Sequence, residues 1–187
     1  MKPSVVAKAT FMEANGMFNR YQDDVVSILE LPYKSKDFSM LVLLPKGDLS
    51  EFYTYLSWEN FSLWVNGLQQ THFKTIKIPR YKIEQETDVV TLLQGLGMLD
   101  AFEETKANFS GISREERLFI KGIFHKAFIE VNEEGTEAAA ATAVVMSRRS
   151  MGPPRDQIFI ANKPFVFTIL HKPTQSIIFL GSVVNPE

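Results

Sequence analysis

The sequence predicts an α+β fold of mostly antiparallel β-sheets with a few short helices and one long exposed loop. Three observations point there. Runs of alternating apolar residues recur along the chain between Pro, Gly and polar turns; apolar spacings of three to four are confined to two stretches; and residues 132–156 alone have linker composition.

The elements follow in order. Residues 25–31 and 38–44 are rich in β-formers and flank Pro32, Tyr33 and a polar turn, which predicts a hairpin. Residues 49–68 carry Phe52, Leu56, Leu63, Trp64 and Leu68 at helical spacing, enough for one or two short helices. Residues 75–83 return to alternation. Residues 88–95 read as a short helix stopped at Gly95 and Gly97. Residues 119–131 set Ile123, His125, Ala127, Ile129 and Val131 on one face against Phe124, Phe128 and Glu130 on the other, the pattern of a strand buried largely on both sides. Residues 164–170 and 177–184 predict a buried hairpin turning at Lys172, Pro173, Thr174 and Gln175.

Composition bounds the function. The 187 residues, 45% of them hydrophobic, suffice to bury a domain-sized core, and no second domain is implied within 1–187. A net charge of −2 with both signs mixed gives no reason to expect a nucleic-acid or membrane partner. There are no cysteines, so no disulfide forms, and the redox compartment stays open. Residues 1–11 lack the apolar stretch of a signal peptide, and no run approaches a membrane span. His72, His125 and His171 are not set with acids at metal-ligand spacing, Gly95 and Gly97 lack the rest of a dinucleotide loop, and nothing resembles a nucleophile elbow. No metal, no cofactor and no enzymatic activity are expected. Asn60 and Asn108 each begin an Asn-Phe-Ser sequon, a possible glycan acceptor in a secreted protein.

The most informative stretch begins with Glu133, Glu134, Gly135, Thr136 and Glu137. It continues through Ala138, Ala139, Ala140, Ala141 and Thr142 to Arg148, Arg149 and Ser150. In an extended chain, Thr136, Ala138, Ala140, Thr142 and Val144 share one face. That face is small and uncharged, so it can be buried between two strands with no charge to desolvate and no bulk to accommodate. Gly135 supplies the hinge. Ala and Glu are also good helix formers, so a surface helix or linker is the competing reading.

The flanks carry a resemblance. The run from His125 through Phe128, Val131 and Gly135 to Thr142 resembles the hinge signature of the serpins, inhibitors that trap a serine protease by inserting a loop into a sheet. Residues 159–167 and 178–186 are similar to that family's C-terminal strands, and residues 29–33, 39–45, 78–81 and 96–102 match further blocks in the family's order.

The resemblance implies several things. The chain corresponds to the C-terminal half of such a domain, with the N-terminal half missing, and 133–156 is its exposed reactive loop. Loop spacing counted from Gly135 puts the reactive bond at Arg149–Ser150, with Arg148 as a secondary cleavage site. An Arg there suits a trypsin-like serine protease, whose pocket pairs the guanidinium with a carboxylate. His125 is implied to join a polar cluster under the opening sheet; from the strand pattern alone it reads as a core histidine. A monomer acting outside the cell is expected, with an intracellular location left open. A non-inhibitory carrier, chaperone or storage role, or a truncated interaction fragment, are the alternatives.

Overall fold

Asp23 closes the first tight turn and pins a helix to it. Its Oδ1 accepts the Val25 and Val26 N–H groups, both at 2.8 Å, and its Oδ2 accepts the Trp64 Nε1–H and the Tyr21 O–H, both at 3.2 Å. In the computed structural model, residues 9–133 and 157–186 are described. They group into two compact units, one of residues 9–81, 131–133 and 157–186 and one of Lys82–Glu130.

Among the described residues the order is β1 (Phe11–Gln22), β2 (Val26–Pro32), β3 (Phe38–Pro45), α1 (Leu49–Phe52), α2 (Trp58–Asn66), β4 (Gln69–Pro79), β5 (Tyr81–Asp88), α3 (Val89–Gly95), β6 (Phe124–Val131), β7 (Gln157–Ile160), β8 (Phe165–His171) and β9 (Ser176–Val183). Short 3₁₀ turns cover Tyr53–Tyr55 and Asp100–Phe102. The first unit is a seven-stranded sheet in the order β7-β4-β1-β2-β3-β8-β9. Its β4–β7 pair is parallel and the other pairs are antiparallel.

Both faces of the central strands are buried. Val26, Ile28, Leu41, Leu43, Val166 and Leu170 pack under α1 and α2 against Phe52, Phe61 and Trp64, with the Phe52 and Trp64 rings stacked at 5.7 Å. Ser57 caps α2 by accepting the Asn60 N–H, and Glu59 sits in the first turn where the helix dipole favours an acid. Residues of the opposite parity, Leu29, Met40, Val42, Phe165 and Phe167, are buried too, and Tyr81 packs against Phe165 and Phe167 at 5.8 and 5.3 Å. Near-continuous apolar runs in β2, β3 and β8 are the sequence form of this two-sided burial.

The second unit holds the two-stranded sheet β5–β6 and α3. Asp88 caps α3 by accepting the Val90 N–H. Gly97, at φ +95°, ends it: the Met98 N–H reaches the Leu93 carbonyl and the Gly97 N–H the Gln94 carbonyl, a Schellman pair that needs the left-handed residue.

Three expectations are corrected. The strand expected over residues 119–131 starts only at Phe124, and β6 is largely exposed rather than buried, with Phe124 92% exposed. Of the C-terminal hairpin, β8 is buried as expected, whereas β9 is exposed over most of its length. In both strands apolar alternation on two faces marks a need for cover, and the described residues do not supply it. The alternation over residues 75–83 belongs to two strands, β4 and β5, which meet at Arg80 after Pro79. β1 carries no strand expectation, since it mixes Glu, Asn, Gly and Arg into its pattern, and β7 starts at Gln157, two residues before the block matched to the family's C-terminal strands.

A buried polar group crosses the sheet at Glu30, which is 4% exposed. Its Oε1 accepts Ser39 Oγ–H at 2.6 Å and lies 3.3 Å from Lys172 Nζ, while Oε2 accepts Asn19 Nδ2–H at 2.6 Å. Burial alone pushes the carboxyl up, but the Ser39 and Asn19 donors and the Lys172 charge outweigh it and hold Glu30 below its ordinary 4.5. Because the folded value is depressed, the stabilisation is complete above 4.5 and is lost as pH falls through the folded value. Glu30→Gln is expected to lower stability by about 1–3 kcal/mol at neutral pH. Urea unfolding of both proteins at a series of pH values should show the gap closing in acid; a gap independent of pH would contradict the assignment.

Candidate functional site

Residues 134–156 lie outside the described residues, so the site is defined by its two ends. β6 delivers the first end: Val131 is buried, and Glu133 follows two residues later. Arg80 receives it. The Glu133 Oε1 accepts from Arg80 Nε–H at 3.0 Å and also from Arg80 Nη2–H, so one carboxylate oxygen takes two guanidinium donors. These donations hold the Glu133 carboxyl below the usual carboxylate range. Arg80 is itself fixed by its position after Pro79 and by its N–H, which reaches the Thr10 carbonyl at 2.8 Å.

The second end returns to the same strand. β7 pairs in parallel with β4 from Phe73↔Gln157 to Lys77↔Ile160, and the Ala161 N–H donates to the Lys77 carbonyl at 2.9 Å. The Gln157 Oε1 accepts from the Arg20 guanidinium, which lies 6.0 Å above the Phe73 ring. Both ends of the 134–156 stretch are therefore tied to β4 or to the residue directly after it.

A model of the serpin family, described as serine protease inhibitor, matches residues 2–186. The chain belongs to the serpin family. It is 46% identical to Serpin B8 of Homo sapiens over 171 residues, covering 89% of this chain and 45% of that protein. To Antithrombin-III of Homo sapiens it is 39% identical over 183 residues, covering 95% of this chain and 39% of the relative. Among solved structures, native protease nexin-1 with heparin superposes with a TM-score of 0.80 at 29% identity, covering 97% of this chain and 50% of that one. Uncleaved ovalbumin gives 0.78 at 30% identity, with coverage of 95% and 48%. The chain spans about half the length of the serpins it matches. The sheet-rich fold with few short helices agrees with these neighbours.

The expected site residues divide accordingly. Of the hinge, Glu133 is described and bound to Arg80; Glu134, Gly135, Thr136, Glu137, Ala138, Ala139, Ala140, Ala141 and Thr142 lie outside the described residues. So do Arg148, Arg149 and Ser150. His125 sits on β6 and is exposed, not a core histidine, because the strand carrying it is uncovered. Asn60 is inside α2 with its Nδ2–H donated to the Tyr55 carbonyl at 2.9 Å, whereas Asn108 lies on an exposed loop, its Oδ1 accepting the Ser110 N–H at 3.2 Å. Among the described residues no group of three or more His, Cys, Asp or Glu is placed to hold a metal, and no helix is long and apolar enough to cross a membrane.

Arg80 and Arg20 were missed by sequence reasoning. Their partners lie 53 and 137 residues away, and no local pattern connects residues so distant. Arg80→Ala is expected to raise the hydrogen-exchange rate of the Val131 to Glu133 amides by less than about fivefold, in keeping with an exposed pair. Exchanging the two charges, Arg80→Glu with Glu133→Arg, should restore most of the protection. No change in either variant would remove Arg80 from its role as an anchor.

Proposed function

We propose that the full-length protein containing this chain inhibits trypsin-like serine proteases by the loop-insertion route of its family, offering Arg149–Ser150 as the bond to be cut. The observation that carries this reading is the anchoring of the two ends of 134–156, one to β4 and one to Arg80 directly after it. With both ends tied, joining a sheet along its whole length would ask more of the segment than its length allows.

Chain length sets the bar. Laid beside β6 in extended form, residues 134–149 would carry Arg149 roughly 50 Å from Glu133. Residues 150–156 span at most roughly 25 Å, too little to return to β7. Full insertion therefore requires either release of β7 or a break in the loop. Attack by the protease serine on the Arg149 carbonyl expels the Ser150 amine and leaves Arg149 esterified to the enzyme. The freed 134–149 segment can then move, carrying the enzyme with it.

What drives the move is burial. New ladder hydrogen bonds at roughly 1 kcal/mol each are nearly offset by the backbone freedom lost, roughly 1–2 kcal/mol per residue. The small uncharged face of Thr136, Ala138, Ala140, Thr142 and Val144 decides the balance, since it can be buried without overpacking or desolvating a charge.

Three outcomes are expected. In the full-length protein, Thr136→Arg converts the inhibitor into a substrate, because insertion would bury an unpaired guanidinium; an SDS-stable trypsin complex at unchanged stoichiometry would refute this. Arg149→Ala should abolish the complex with trypsin. The 187-residue chain by itself is expected to be cut by trypsin without trapping it, since among the described residues β6 pairs with β5 alone and its other edge has no second strand. A covalent complex formed by this chain alone would overturn that expectation.

A further inference from the structure

From a break in the pairing of β1 with β4 we infer that Asn15–Gly16 is a site of spontaneous isoaspartate formation, and that its conversion loosens the strand that holds the loop. The chain has two Asn-Gly dipeptides, Asn15–Gly16 and Asn66–Gly67. At such a pair the Gly amide nitrogen can attack the Asn Cγ, because glycine has no side chain to block the approach. The N–Cγ bond forms, the Cγ–Nδ2 bond breaks, and ammonia leaves with the proton that the Gly nitrogen gives up. Water then opens the succinimide ring at one carbonyl to give Asp, or at the other to give isoaspartate. The second product routes the main chain through the former side chain and lengthens it by one carbon.

The fold treats the two sites differently. Regular hydrogen-bonded structure opposes the attack by holding the Asn backbone and the following amide in place. Asn66 ends α2, and the Gly67 N–H donates to the Leu63 carbonyl at 2.9 Å. Gly67 is also tightly packed, since a Cβ there would lie 2.7 Å from the Tyr21 ring. Asn15 is exposed and has no Cα partner on β4, because the register jumps from Ala14↔Ile76 to Gly16↔Phe73. It stands opposite two residues, Lys74 and Thr75, the arrangement of a β-bulge. Gly16 sits at φ +122°, outside the strand region, and a Cβ there would meet only the Phe18 ring, at 3.9 Å. β1 and β4 both lie in this chain, so the break is a property of their own pairing.

Position gives the change its reach. Phe73, the partner of Gly16, is also the partner of Gln157 at the start of β7, and the β4–β7 register shifts at the same place, between Phe73 and Thr75. An added main-chain carbon at position 15 lengthens β1 where it must match a strand that is itself irregular. The new carboxylate stands two residues from Glu13, whose own carboxylate pairs with Lys77 of β4. Pairing of β1 with residues 73–77 loosens as a result, and with it the ladder that holds the second end of 134–156. This loosening would follow whether or not the full-length protein inhibits a protease.

Timed incubation of the purified 187-residue chain in mildly alkaline buffer, which favours loss of the amide proton, tests both parts. Mass spectrometry of the tryptic peptides 9–20 and 47–74, with an isoaspartate assay, follows the two sites separately. In the folded chain Asn15 should convert several-fold faster than Asn66; in urea the two should convert at similar rates, since the fold no longer separates them. Hydrogen exchange at residues 73–77 should quicken as Asn15 converts. It should stay constant over the same incubation in Asn15→Gln, an exposed position where the longer side chain would have to close a larger, less favourable ring. Equal rates at both sites in the folded chain, or a lead of Asn15 that persists unchanged in urea, would overturn the assignment of the site. Conversion at Asn15 with unaltered exchange over 73–77 would overturn its effect on β4.

Discussion

One strand carries the constraint on which the rest depends. β4 ends at Pro79, the next residue grips Glu133, and residues 73–77 of the strand hold β7 in register. The backbone between these anchors leaves from β6 and comes back to β4, so its ends are fixed before its middle is considered. In the proposed mechanism, the length of chain between these anchors is what opposes insertion before cleavage. Two anchors of different strength share the task. The Arg80–Glu133 pair is half-exposed and screened by salt, whereas the β7 ladder is reinforced by Phe159, 3% exposed, and by Ala161, 2% exposed.

The sheet that supports β4 owes its rigidity to burial on both faces. α1 and α2 cover one side, and Tyr81 and the Phe165 and Phe167 rings fill the other. A polar cluster survives inside because each partner is satisfied: the Glu30 oxygens take donors from Asn19 and Ser39 and face Lys172. Where the cover stops, at β9 and β6, large apolar side chains meet solvent. These faces coincide with a chain that spans about half of its relatives' length.

Much of this was legible in the residues. The β2–β3 hairpin, the helices around Leu49 to Leu68, the stop at Gly97 and the β8–β9 hairpin follow from periodicity and capping chemistry, which are local. β1 was not legible, because its polar residues and the irregularity near Gly16 break the alternation that marks a strand. Burial of β6 and β9 was overread, since alternation reports which faces need cover and not whether the chain provides it. At the site, the hinge expected from Gly135 to Thr142 rests on composition and family resemblance and lies outside the described residues. Arg80 could not, since the fold alone brings it to Glu133.

Thermal unfolding of the full-length protein, intact and then cut after Arg149, tests the central claim most directly. If the anchors on β4 restrain a segment that prefers to lie within a sheet, the cut protein should unfold at a clearly higher temperature than the intact one. An unchanged or lower unfolding temperature after complete cleavage would contradict the account.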